Sequence, residues 1–299
     1  MRIFQMLSTI AYGDAVSNDT FAMEKIIKGM GYGTRIYAES IVAPLDKKNA
    51  LNVDELKDVH KDDIIIFHMS TGSRLNFDVA KYDCRKIVVY HNITPPEYFA
   101  KNDSRFTKVC EYGLEGARYL ADKVDYCLAV SAFNKQDLIN MGYKCDIDIL
   151  PVIIPMSDYD KKPDKGVMKE YSDGYTNILF TGRVAPNKKH EDLIASFYYY
   201  NRLYNKKSRL ILAGSFREDD PYYIRLTEYT KKLGLGDAVV FTGHIKFDRI
   251  LAYYRAADVF LCMSEHEGFC VPLVEAMKFQ IPVIACANAA IPETLGGSG

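Results

Sequence analysis

Short apolar runs alternate with longer helical stretches along the whole of this 299-residue chain. No other feature restricts the fold as strongly. In the first half, residues 2–7, 34–38, 63–68, 86–90, 126–130 and 146–150 read as strands. Several, such as Asp63-Ile64-Ile65-Ile66-Phe67-His68, are apolar on both faces. Strands covered on both sides belong to parallel sheets with helices above and below. Helices are expected over 20–29, with Asn18 or Asp19 as the cap, over 103–123, and from a Ser131 cap to about Met141. The second half restarts the pattern, with strands at 177–181, 209–213, 238–242, 258–262 and 282–285, and helices near 191–204, 222–233, 247–255 and 273–279. The expected class is therefore α/β, with two tandem Rossmann-like, doubly wound parallel-sheet domains. Residues 151–175 carry Pro151, Pro155 and Pro163, mixed charges and no period, and read as a linker. The domains are expected to span 1–160 and 161–299. Such folds bind ligands in a cleft at the carboxyl ends of their strands.

The totals remove several classes of function. A net charge of −1 argues against a nucleic-acid partner, which calls for a basic excess. Seven cysteines are scattered without a Cys-x-x-Cys pair, as expected for reduced thiols in the cytoplasm rather than a disulfide or zinc framework. No run of about 18 apolar residues offers a membrane span. With a strand expected from Arg2, no signal peptide is expected.

The most informative stretch is Ser264-Glu265-His266-Glu267-Gly268-Phe269-Cys270-Val271-Pro272-Leu273-Val274-Glu275-Ala276-Met277. It follows a buried strand, and Pro272 sits where a helix should begin. Glu267 lies in the loop and Glu275 in the first helical turn. A helix N-terminus attracts anions through its free N–H groups and its dipole. Two carboxylates flanking such a site fit a ligand with hydroxyl groups on both sides of its phosphates, as in a nucleotide sugar. A second stretch, Thr181-Gly182-Arg183-Val184-Ala185-Pro186-Asn187-Lys188-Lys189-His190, ends another strand. Gly182 lets the backbone turn, and Arg183 and Lys188 then offer a planar fork and a mobile point charge suited to a diphosphate. Taken alone, a Lys-Lys pair equally describes a solvated basic loop.

Gly-Arg-x4-Lys, Phe241-Thr242-Gly243-His244 and the two glutamates seven residues apart resemble the retaining glycosyltransferases of family 4, with the glycosyltransferase-B fold. Residues 12–19 (Tyr-Gly-Asp-Ala-Val-Ser-Asn-Asp), 91–95 (His-Asn-Ile-Thr-Pro) and 130–134 (Val-Ser-Ala-Phe-Asn) carry the likeness into the first half. The resemblance implies that Arg183 and Lys188 bind the donor diphosphate and that Gly182 supports their turn. Glu267 and the amides of Gly268, Phe269, Cys270 and Val271 would hold the donor sugar. Glu275 would hold the ribose, and the backbone at His244 and Ile245 would meet the base. His91 would face the sugar, and Gly13 and Asp14 would close over the phosphates. Those roles need no metal and no cofactor beyond the UDP- or GDP-linked donor. Relatives normally continue past Gly299, so the second domain is expected to be incomplete.

Three other motifs take plainer readings. Gly29-Met30-Gly31-Tyr32-Gly33 lies between a helix and a strand and reads as a helix end. Asp146-Ile147-Asp148 and Asp158-Tyr159-Asp160 read as solvated acids rather than a metal site. The Tyr- and Lys-bearing helix over 103–123 is diluted by acids and reads as solvated, although peripheral contact with the inner face of a membrane stays open. The expected function is transfer of a hexose from a nucleotide sugar to a saccharide or lipid-linked acceptor, in bacterial surface-polysaccharide assembly. The alternatives are an inactive nucleotide-sugar-binding homologue or fragment and a nucleotide-sugar epimerase of the same fold.

Overall fold

The computed structural model describes residues 1–297, and the chain divides into two compact units. The first holds Met1–Glu97 and Ser104–Ile154; the second holds Tyr98–Asp103 and the chain from Pro155 onward. In the first, the order is β1 (Arg2–Ile10), α1 (Ala15–Gly29), β2 (Gly33–Ile41), β3 (Leu51–Asn52), β4 (Ile64–Met69), α2 (Leu75–Asp78), β5 (Arg85–Tyr90), α3 (Ser104–Leu120), β6 (Tyr126–Ala129), α4 (Ala132–Asn140) and β7 (Ile147–Ile149). The strands form one sheet in the order β3-β2-β1-β4-β5-β6-β7, with every neighbouring pair parallel. Phe4, Met6 and Leu7 of β1 and Ile65 and Phe67 of β4 are buried, as two-sided coverage requires.

In the second unit, α5 (Lys165–Tyr171) precedes β8 (Thr176–Thr181), α6 (His190–Leu203), β9 (Ser208–Ala213), α7 (Pro221–Lys232), β10 (Val239–Gly243), α8 (Phe247–Ala256), β11 (Val259–Cys262), α9 (Val271–Lys278), β12 (Val283–Ala285) and α10 (Ile291–Leu295). This sheet is also parallel, in the order β10-β9-β8-β11-β12. Its core includes Leu179, Phe180, Leu193, Phe197, Ile211, Phe260 and Leu273. Each such side chain contributes about 1.5–3 kcal/mol of burial free energy. In both sheets the strand order reverses beside the first strand, at β1/β4 and at β8/β11. Loops leaving the carboxyl ends of such strand pairs diverge and leave a crevice.

Two local expectations are corrected. Helix α1 starts at Ala15, because Asp14 in an extended conformation accepts a hydrogen bond from the Ser17 N–H. Neither Asn18 nor Asp19 is its cap, and Asp19 is buried. The stretch 151–175 is not featureless either. Asp164 caps α5, and Val167 and Tyr171, one helical turn apart, are buried in the second core. The glycines after α1 end the helix as expected: the Gly31 N–H reaches the Lys28 carbonyl and the Tyr32 N–H reaches that of Ile27.

Candidate functional site

Strands β8 and β11 are adjacent, pairing Ile178 with Val259 and Leu179 with Phe260, so the loops that follow them run side by side. After β8 the backbone passes Gly214 closely. A Cβ on Gly214 would fall 1.9 Å from the Gly182 carbonyl oxygen, so only glycine fits there. Pro186–Lys188 make one 3-10 turn, and left-handed Lys189 (φ 53°) leads into α6. Buried Asn187 stitches this loop to the one after β11. Its Nδ2 donates to the His266 carbonyl at 3.1 Å, and its own carbonyl accepts from the Glu265 N–H at 2.9 Å.

The stitching brings Lys188 Nζ to 2.5 Å from Glu267 Oε1, with the two side chains 22% and 11% exposed. Burial is the largest single influence on Lys188 and pulls it down, but the Glu267 carboxylate, with Cys270 and Cys262 beside it, more than offsets that, and the ammonium stays charged with its pKa above the ordinary value. Lys189 instead pairs with Glu191, Asp192 and Glu265 at 3.4–3.7 Å. The two lysines are almost equally exposed, at 22% and 24%, and differ in which carboxylates they meet. Arg183 lies exposed at the start of the same loop.

Left-handed Cys270 (φ 72°) is the N-cap of α9, and Pro272 lies in its first turn. The Ala290 N–H donates to the Glu267 carbonyl at 3.3 Å, and Thr294 Oγ1 donates to the Phe269 carbonyl. Peptide units are planar and trans, so the N–H groups of Gly268 and Cys270 point away from these donors at α10. One turn into α9, Glu275 Oε1 accepts from the Tyr159 hydroxyl and Oε2 from the Tyr254 hydroxyl, each at 2.5 Å. Tyr254 also shares a hydrogen bond with Thr181 Oγ1 at 2.6 Å. Burial raises the Glu275 pKa, and the two phenols draw it back. Each oxygen keeps a second lone pair, so the carboxylate can still accept from a ligand. Sequence reasoning missed Gly214, Asn187, Tyr159 and Tyr254 as contributors. The Tyr159 signal lay inside the presumed linker.

In the first unit, His91 follows β5, and its N–H donates to the Met69 carbonyl at 2.9 Å. Its side chain belongs to a buried polar group that the sequence did not suggest. His91 Nε2 is 3.0 Å from His68 Nδ1, and His68 Nε2 is 2.9 Å from Gln5 Oε1. Asp19 Oδ2 lies 3.7 Å from His91 Nε2 and 3.9 Å from His68 Nδ1, while its Oδ1 accepts from the Ile153 N–H at 2.7 Å. Burial lowers both histidines, His91 to about 3, and raises Asp19 to about 6. At neutral pH both rings are uncharged and Asp19 is ionised.

Asp19, His68 and His91 each place one ligand atom within 4.8 Å of the others, as a metal site would. Ring geometry decides between a metal and a hydrogen bond. An aromatic five-membered ring with bonds near 1.33 Å puts each nitrogen about 1.1 Å from its centroid. Two such radii added to the 3.0 Å N···N separation give the observed centroid separation of 5.3 Å only if both nitrogens point straight at each other. A shared metal at about 2.0–2.1 Å from each nitrogen would bend that line and bring the centroids to about 4.7 Å. The contact is an end-on hydrogen bond.

Asp14 is occupied as a helix cap and also accepts from Ser17 Oγ at 2.8 Å, with Gly13 at φ 76° turning the chain before it. His244 is exposed, and Ile245 packs partly on the second core. Asp158 pairs with Lys161, Asp160 with Lys278, and Asp148 accepts from the Tyr126 hydroxyl. No helix among the described residues is long and apolar enough to cross a membrane.

The family described as "Glycosyl transferases group 1" matches residues 168–297, which include Arg183, Lys188, Glu267 and Glu275. The O-antigen chain mannosyltransferase B of Escherichia coli is 26% identical over 226 residues, covering 72% of this chain and 56% of that protein. A GDP-mannose-dependent alpha-(1-6)-phosphatidylinositol monomannoside mannosyltransferase of Mycobacterium tuberculosis is 26% identical over 192 residues, covering 60% of this chain and 48% of that protein. The chain spans about half the length of these curated relatives. Among solved structures, sucrose-phosphate synthase from Thermosynechococcus elongatus superposes with a TM-score of 0.73 at 16% identity, covering 99% of this chain and 84% of that one. At that identity the likeness is one of fold, and the fold is that of the glycosyltransferase-B proteins.

Proposed function

We propose that this chain is a retaining glycosyltransferase that moves a hexose from a nucleotide-diphosphate sugar to a saccharide or lipid-linked acceptor in polysaccharide or glycolipid assembly. The observation that carries the reading is the Lys188–Glu267 pair, held by Asn187 beside a helix start that presents Glu275 one turn further on. Lys188 and Arg183 would take the diphosphate, and Lys188 would stabilise the charge that develops on it as the anomeric C–O bond breaks. The Gly268 and Cys270 N–H groups add donors at the same helix start. Glu267 would accept from sugar hydroxyls, Glu275 from the ribose, and His91 would meet the sugar. The acceptor oxygen would form its bond on the face the diphosphate leaves, passing its proton to a diphosphate oxygen. The chain's own cations supply the positive charge, so this scheme uses no metal.

The relatives' names, two mannosyltransferases of which one is GDP-mannose-dependent, put GDP-linked hexose first among donors to test. The reaction would take place in the cytoplasm, with peripheral membrane contact where the acceptor is lipid-linked. The test is a thermal-shift screen with UDP, GDP and their sugar conjugates. A donor at a hundredfold excess over its Kd adds about 2.7 kcal/mol of stability. No shift with any of them would refute nucleotide-sugar binding, and shifts without transfer would favour an inactive binding homologue. Lys188→Ala and Glu275→Ala are expected to abolish transfer in folded protein.

A further inference from the structure

The buried polar group around His91 fixes the position of a proton. Gln5 Nε2 donates to the Thr20 backbone carbonyl at 3.2 Å, and a carbonyl can only accept. The Gln5 amide is therefore oriented, and its Oε1 is the atom facing His68 Nε2. His68 must donate there, so Nε2 carries its proton and Nδ1 carries a lone pair. His91 Nε2, end-on to that lone pair at 3.0 Å, must in turn be the donor. Ionised Asp19, 3.7 Å from His91 Nε2, favours a proton at the same place. Each link is set by the one before it, starting from a backbone group that cannot change its role.

We propose that Gln5 and His68 are positioning residues that lock His91 in its Nε2–H tautomer, so that His91 meets a ligand only as a hydrogen-bond acceptor through Nδ1. This rests on the reading that His91 faces the donor sugar, and it narrows that role. An acceptor nitrogen suits a sugar hydroxyl, which can donate. It does not suit a phosphate oxygen, which cannot. The direction of the hydrogen bond thus assigns His91 to the hydroxyl-bearing part of the donor.

The tautomer is directly measurable. In full-length protein labelled with 15N-histidine, long-range 1H–15N correlation should show His91 and His68 both protonated at Nε2 and unprotonated at Nδ1 at neutral pH. His68→Phe keeps the ring but removes the acceptor, and His91 should then lose its single tautomer. His68→Asn restores an acceptor near the former Nδ1 and should restore the Nε2–H form. A wild-type His91 protonated at Nδ1, or a His91 tautomer unmoved in folded His68→Phe, overturns the proposal. The wild-type spectrum decides the tautomer even if a variant fails to fold. None of these readouts needs a substrate, so they can fail independently of the glycosyltransferase reading. An unchanged His91 Nδ1 signal under saturating donor would count against that reading and leave the lock intact.

Discussion

Lys188 is engaged by Glu267, so on the proposed reading a diphosphate would have to share it with that carboxylate. At 2.5 Å and an effective dielectric near 20, the gross attraction of the pair is about 6–7 kcal/mol. Drawing Nζ toward a phosphate and out to about 4 Å from the carboxylate forfeits about 2–3 kcal/mol of it. Glu267→Gln removes that competition. At 1.4 kcal/mol per decade it should tighten binding of UDP or GDP by about 30- to 150-fold, while abolishing sugar transfer. Lys188→Ala removes a charged hydrogen bond of about 1.5–3 kcal/mol and should weaken the same nucleotides by about 10- to 150-fold. The double variant should bind like Lys188→Ala, since without the lysine the carboxylate has nothing to compete for. Isothermal titration of the three variants with nucleoside diphosphates measures this directly. If Glu267→Gln weakens the nucleotides as much as Lys188→Ala does, the pair is a clip that shapes the loop, and the reasoning is wrong.

Gly214→Ala forces a Cβ to within 1.9 Å of the Gly182 carbonyl; it should cost about 1–3 kcal/mol and weaken nucleotide binding, read by thermal melts and calorimetry on one sample. Glu275→Gln should erase any preference for a ribonucleotide over its 2′,3′-dideoxy analogue, whereas an undiminished preference would remove Glu275 from the ribose site. The Asp19 pKa is raised by burial to about 6, so its ionisation opposes folding. That cost is fully present above pH 6 and is relieved as the pH falls toward its unfolded value near 4. Asp19→Asn should therefore stabilise the first unit by about 2 kcal/mol at pH 7 and much less at pH 4. Hydrogen exchange in β1 and β4 across that range measures it, and identical pH slopes in the two proteins would refute it.

Both parallel sheets were legible because several of their strands are apolar on both faces and bounded by turns, a signal that needs no tertiary context. The two-residue β3 carries no such signal and was not foreseen. The Glu267 and Lys188 loops were legible because their chemistry is spelled out by local spacing. What stayed hidden depends on partners distant in sequence. Gln5 and His68 sit in strands that read as plain apolar runs, and only the β1–β4 pairing brings their side chains together. Tyr159 looked like part of a linker because its partner, Glu275, lies 116 residues away. The α1 cap was misplaced because Asn18 and Asp19 are as good capping residues as Asp14, and the choice depends on where the chain turns at Gly13. Helix α5 did carry a signal, Asp164 followed by Val167 and Tyr171, but at seven residues it is too short for periodicity to stand out.

Lys188 and Glu267 are 79 residues apart in the chain and meet only because β8 and β11 pair. Closing a loop of that length costs about 4 kcal/mol of chain entropy before any contact repays it. A growing polypeptide that has reached α8 therefore carries these cations without their carboxylates, and lacks the proposed donor site. A ligand that touches both side chains recognises only a second unit in which β8 and β11 have paired, so its binding reports that folding step as directly as it reports chemistry.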